Sequence, residues 1–269
     1  MDSTNRNMNA FIFLSVMALL FSAGCLNLKQ PALKVDYYQI EPKPVKRSKP
    51  EPLNIVLGVR YFDAAAAFDS DRIVFKEGQN EWQMYFYRRW ITNATEMVRD
   101  ALLKDLQLSD NYLAVVPVPG AIPWDYEIGG YVQGIYENDL GSGGWESVIN
   151  LYITFIKSPP ETAQRKVLFQ ENYHAAVPCK GRDPKAVVAA MSTAMQQIIA
   201  KLQQDIDRVV VEEEKREEAE AKAEAEAQAR AKARAKAKAM AEAEAKAEAM
   251  AEAEEAEATE KVSGRAFSL

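Results

Sequence analysis

The chain has 269 residues, 33 lysines and arginines against 39 aspartates and glutamates, a formal net charge of −6, and 48% hydrophobic residues. One histidine and two cysteines are too few for the metal clusters, nucleophile–base systems and disulfide frameworks that those residues build. A mildly acidic balance without a long basic stripe also argues against a nucleic-acid-binding surface.

The chain begins with an apolar run free of charge, AFIFLSVMALLF, from Ala10 to Phe21. It is shorter than the roughly 20 residues a membrane-spanning helix needs, and it suits the apolar region of a secretory signal. SAGC follows, from Ser22 to Cys25, and resembles a bacterial lipobox with Ser22 where leucine is usual. Residues 1–24 are therefore read as a lipoprotein signal peptide. Cys25 is the lipid attachment site, and residues 25–34 form the anchor and a tether. Lipidation of Cys25 leaves Cys179 without an intrachain partner, so the domain must fold on its core alone. Leu26 rather than aspartate after the cysteine favours the outer membrane over retention at the inner one.

KVDYYQI, Lys34 to Ile40, reads as a first strand, followed by EPKPVKRSKPEP, a loop whose prolines cannot enter a sheet interior. LNIVLGVRYF, Leu53 to Phe62, is an apolar, β-branched strand. RIVF (Arg72 to Phe75) and EWQMYFYRRW (Glu81 to Trp90) form a predicted hairpin around KEGQN. Asn93 and Glu96 have the spacing of a helix capping box, and Met97, Val98, Ala101, Leu102 and Leu106 line one helical face. YLAVVPV is the next strand. WDYEIGGYVQGIYEN, WESVINLYITFIK and RKVLFQENYHAAVP read as three consecutive antiparallel strands. In the middle one, Val148, Asn150, Tyr152, Thr154 and Ile156 alternate with Ile149, Leu151, Ile153 and Phe155. Asp183 caps a last helix that has Pro184 at its first position and a stripe from Ala186 and Val187 to Ile198 and Leu202. These elements predict an α+β fold for residues 35–208. It is a two-layer sandwich of a mixed or antiparallel sheet and two long helices.

Residues 209–269 differ. Glu212 to Lys261 holds 16 acidic and 10 basic residues, and alanine alternates with charge from Ala219 onward. Period two is a strand pattern, but Ala, Glu, Lys, Arg, Gln and Met are strong helix formers and no β-branched residue intervenes. Glu218–Lys222, Glu226–Arg230 and Glu242–Lys246 run in the favourable order at i, i+4. A long, solvated, low-complexity C-terminal helix is expected. Alanine falls on every face, so a coiled coil is poorly specified.

Little in the chain suggests chemistry. His174 sits inside a predicted strand, GSGGW lacks the lysine and helix of a phosphate loop, and Asp69 and Asp71 fit a turn. No catalytic residue, cofactor or metal is expected.

YYQIEP (Tyr37 to Pro42), LNIVLGVRYFDAA, DSDRIVFKEGQNEWQMYFYRRW, EMVRDALLKDL and AVVAAMSTAMQQI resemble, in order, the ABC-type transport auxiliary lipoprotein component family, PqiC-like. The resemblance covers approximately Tyr37 to Leu202. It implies an α/β domain on the periplasmic face of the outer membrane, serving as a non-catalytic partner of an MCE-domain membrane protein and its permease and ATPase in lipid transport. Self-association is a further possible use of the chain. The alanine–charge tail lies outside the family pattern. A regulatory lipoprotein that activates a cell-wall synthase is the alternative reading.

The richest stretch is the second strand of the hairpin. Simple alternation puts Trp82, Met84, Phe86, Arg88 and Trp90 on one face, expected to pack on a helix. Tyr85, Tyr87 and Arg89, with Arg72, then form a Tyr/Arg surface of the kind enriched at protein interfaces, the candidate docking face.

Overall fold

A computed structural model describes residues 12–13, 34–44, 51–158 and 164–266, with side chains to residue 253. Apart from residues 12–13, the leader expected at 1–24 lies outside the described residues, as do Cys25, nearly all of the tether and the centre of the proline-rich loop. The chain divides into two compact units, Met1–Ile198 and Ile199–Leu269.

The first unit is an α+β sandwich built on one eight-stranded sheet. Its strands are β1 (Asp36–Tyr38), β2 (Leu53–Ala64), β3 (Arg72–Glu77), β4 (Glu81–Trp90), β5 (Tyr112–Pro117), β6 (Tyr126–Asp139), β7 (Trp145–Lys157) and β8 (Lys166–Pro178). β6 is the axis. One edge pairs antiparallel with β7, which pairs antiparallel with β8, as expected for three consecutive strands. The other edge is shared in succession by two parallel neighbours. β2 takes residues from Tyr126 to Val132 and β3 takes Tyr136 to Asp139. The sheet forks there, one arm continuing to β5 and the other through β4 to β1. Gly130 lies before the fork, where a Cβ would come within 2.4 Å of the Tyr152 carbonyl oxygen and 2.8 Å of the Phe62 ring.

α1 (Ala94–Leu108) packs on β2 and β5 through Met97, Val98, Ala101, Leu102 and Leu106, all buried. Asn93 occupies the N-cap position and its carbonyl accepts the Met97 N–H. Its side chain makes no cap hydrogen bond. The expected capping box is thus replaced: the Thr92 hydroxyl, one residue upstream, donates to the Glu96 carboxylate. α2 (Pro184–Ala266) starts as expected, with Asp183 Oδ1 accepting the N–H groups of Lys185 and Ala186. The Ser147 hydroxyl donates to the Val187 carbonyl at 2.8 Å, so the start of α2 lies over the sheet face that carries Ser147. Alternation puts Ile149, Leu151, Ile153 and Phe155 on that face, each 0% exposed.

The second unit is helical from Ile199 to Ala266. Leu202, Ile206 and Val210 are buried, and burial ends at Glu213. From Glu214 to Ala253 every residue is exposed. Glu226 and Arg230 approach to 3.9 Å, and Lys238 and Glu242 to 3.8 Å. Such exposed pairs contribute at most a few tenths of a kcal/mol each, so residue propensity sustains this helix.

Candidate docking surface

The β3–β4 hairpin turns at Gly78, whose φ of +67° a side chain would resist. Its ladder is regular from Glu77↔Glu81 to Val74↔Met84, then resumes at Arg72↔Arg89. Five steps along β4 therefore oppose two along β3, and three extra residues bulge out of the ladder. A surplus of three is odd, so it exchanges the faces of β4 beyond the bulge.

Register identifies the faces. Ser147 is on the helix side and pairs with Glu137, which pairs with Phe75, which pairs with Gln83. Gln83 and Tyr85 thus point toward the helices, and Trp82 and Met84 point away. This reverses the sequence expectation that the Trp82 face packs on a helix. Trp82, Met84 and Phe86 are 48%, 42% and 62% exposed. Past the bulge the assignment inverts: Arg88 joins Tyr85 on the helix side, and Trp90 is 1% exposed.

Tyr85 and Arg88 enclose a buried carboxylate. The Tyr85 hydroxyl donates to Glu137 Oε1 at 3.1 Å and lies 3.2 Å from Oε2. The Arg88 guanidinium sits 4.6 Å from the centre of the Tyr85 ring, and Phe75 stacks on that ring at 4.5 Å. Burial pushes the Glu137 carboxyl above its ordinary range, while the Tyr85 hydrogen bond and the Arg88 charge pull it back. Burial, then the negative Glu137, push Tyr85 up to about 12.

The four residues read as a docking face are therefore divided. Tyr85 is half-buried on Glu137. Arg89 pairs with Asp71 at 3.0 Å and braces the strand end, where the Trp90 N–H also reaches the Asp71 carbonyl. Arg72 lies 5.9 Å from the centre of the Phe86 ring, and Tyr87 meets that same ring edge-on at 4.9 Å, 39% exposed. Tyr87 and Arg72 stay together around Phe86; Tyr85 is engaged by Glu137 and Arg89 by Asp71. Trp82, Met84 and Phe86 were missed as surface residues, and Arg88 as the partner of Tyr85. Their aromatic and basic character was visible, but the bulge that reassigns their faces has no sequence signature.

Elsewhere polar groups hold one another. Glu127, 0% exposed, accepts from Arg60 at 3.2 Å, Arg165 at 3.3 Å and the Trp124 indole at 3.0 Å, at one side of a depression of about 440 Å³. His174 hydrogen-bonds Asn150, its cross-strand partner, on an exposed face. Cys179 lies 3.5 Å from the Ser147 hydroxyl, and burial raises its thiol above the ordinary range, away from the thiolate that nucleophilic chemistry needs. Among the described residues no three His, Cys, Asp or Glu side chains cluster to hold a metal ion.

A sheet with this order, ending in an aromatic hairpin and two helices, can be compared with known proteins. The family model of the ABC-type transport auxiliary lipoprotein component matches residues 38–203, more than half of the chain. The chain belongs to that family. No curated protein matches it. Among solved structures, protein XCC0632 from Xanthomonas campestris is 22% identical, with a TM-score of 0.61 over 67% of this chain and 99% of its own. An uncharacterized protein is 15% identical, with a TM-score of 0.49 over 64% and 99%. The first similarity establishes the fold. The match runs from the last residue of β1 through the rest of the sheet, α1 and the start of α2; the exposed alanine–charge segment lies beyond it. Among the described residues no helix is long and apolar enough to cross a membrane.

Proposed function

We propose that this chain is a non-catalytic lipoprotein component of an MCE-type lipid transport system, anchored through Cys25 at the periplasmic face of the outer membrane. It docks the periplasm-spanning MCE protein there. Membership in a family of auxiliary transport lipoproteins carries the reading. The aromatic and basic hairpin adds to it, since Tyr and Arg are the side chains that most often anchor protein interfaces. Arg72, Tyr85, Tyr87 and Arg89 remain the docking candidates, with Tyr87 and Arg72 as the outward pair and Tyr85 and Arg89 as the residues that hold the strand beneath them. Energy comes from an ATPase elsewhere in the system.

Crosslinking in whole cells followed by purification should recover an MCE-domain protein with this chain. Tyr87→Ala with Arg72→Ala should reduce that recovery at least about tenfold, the loss of about 1.4 kcal/mol, with the fold intact by circular dichroism. Recovery of no MCE protein from wild type would sink the reading.

A further inference from the structure

β4 is paired on its outer side by β1 alone, and only from Arg88 to Trp90. Among the described residues its edge from Glu81 to Tyr87 is open. Trp82, Met84 and Phe86 are exposed beside that edge, a concentration of apolar surface that a monomeric soluble face rarely carries.

The direction of β1 says what lies in front of it. β1 runs parallel to β4, with Asp36 opposite Arg88, so its N-terminal end points toward the β3–β4 turn. Trp82 is opposite Lys76 and Arg89 opposite Arg72, so four ladder steps separate them in that direction, about 13 Å at ~3.3 Å per residue. Leu26 to Lys34 can span at most about 30 Å. An anchor at Cys25 therefore keeps this end of the sheet close to a bilayer. The neighbouring turn belongs to the same end. Glu77 pairs with Asp139, which sets Leu140, 48% exposed, beside the hairpin turn. Trp82 has the build of an interfacial residue, packed at 4.9 Å on Tyr136 with Lys76 5.6 Å from its ring centre.

We infer that the β3–β4 end of the sheet rests on the lipid surface that holds Cys25, with Trp82, Met84 and Leu140 in the headgroup layer. The inference rests on acylation of Cys25 from the proposed function and adds a second contact to it. Glu77, Glu81 and Asp139 outnumber Lys76 at this end, so the contact is aromatic and aliphatic and gains nothing from anionic lipid.

The test uses the full chain carrying its native lipid, in vesicles of phosphatidylethanolamine and phosphatidylglycerol, beside the same chain with Cys25→Ser free in solution. Trp82 is the exposed one of four tryptophans, and its signal is the difference between wild type and Trp82→Phe. On vesicles that signal should shift to the blue, lose most of its quenching by acrylamide, and gain quenching by lipids brominated near the headgroup. A fluorophore on Leu140→Cys should respond in parallel. A Trp82 signal as open to acrylamide on vesicles as in solution would overturn the inference, as would protection that appears only after the MCE protein is added. The mass of the N-terminal peptide is read separately. Unmodified Cys25 refutes the anchor and the placement together; acylated Cys25 with Trp82 still open refutes the placement alone.

Discussion

β7 and β4 carry similar sequence signals and have opposite fates. Both are long, aromatic and alternating, yet β7 keeps one face at 0% exposure across Ile149, Leu151, Ile153 and Phe155 while β4 leaves Trp82, Met84 and Phe86 open. β7 is held on both sides along its length by β6 and β8. β4 has β3 on one side, β1 for three residues on the other, and a three-residue surplus in its ladder. Alternation sorts side chains into two sets; neighbouring strands decide which set is covered.

That contrast can be broken at several points. Phe155→Ala, in the covered face of β7, should cost about 3–5 kcal/mol in denaturant unfolding, because it leaves a cavity among rigid neighbours. Tyr85→Phe should cost about 1–3 kcal/mol, since the buried Glu137 loses a donor. Its midpoint should move far less if Glu137 is also changed to Gln.

The pH dependence of this pair sharpens the picture. Glu137 is raised in the folded state, so its contribution to stability is greatest below the unfolded carboxyl pKa and declines as pH rises through the folded value. Wild type should therefore lose stability relative to Glu137→Gln on going from acid to neutral pH. Tyr85, raised from 10.0 to about 12, holds its contribution up to about pH 10 and loses it across the next two units. Unfolding midpoints measured across pH check both signs. The smallest effect belongs to the open face: Phe86→Ser should change stability by no more than about 0.5 kcal/mol. A large loss there would mean that the edge of β4 is covered.

Much of the architecture was legible in residue patterns. Val148 to Ile156 announced a strand with one buried face, Asp183 and Pro184 announced the start of α2, and the alanine–charge segment announced a helix through propensity despite its period of two. The capping box failed because Thr92, one residue upstream, takes the Glu96 carboxylate while the Asn93 side chain makes no cap hydrogen bond, and spacing alone cannot rank the two. Trp82, Met84 and Phe86 were assigned to the wrong side, and Arg88 and Trp90 to the wrong companions, for a different reason. The register that places them is set by Arg72 and Arg89, brought opposite each other by folding.

The sequence by itself determined the elements, their order and the family. Each of these follows from local composition or from side-chain periodicity within one segment. Only the tertiary structure decided that β6 serves two strands on one edge, that Tyr85 turns inward onto Glu137, and that Trp82 turns outward. Those outcomes depend on hydrogen-bond register between strands far apart in the chain, and a slip of an odd number of residues changes every face without changing a single local preference.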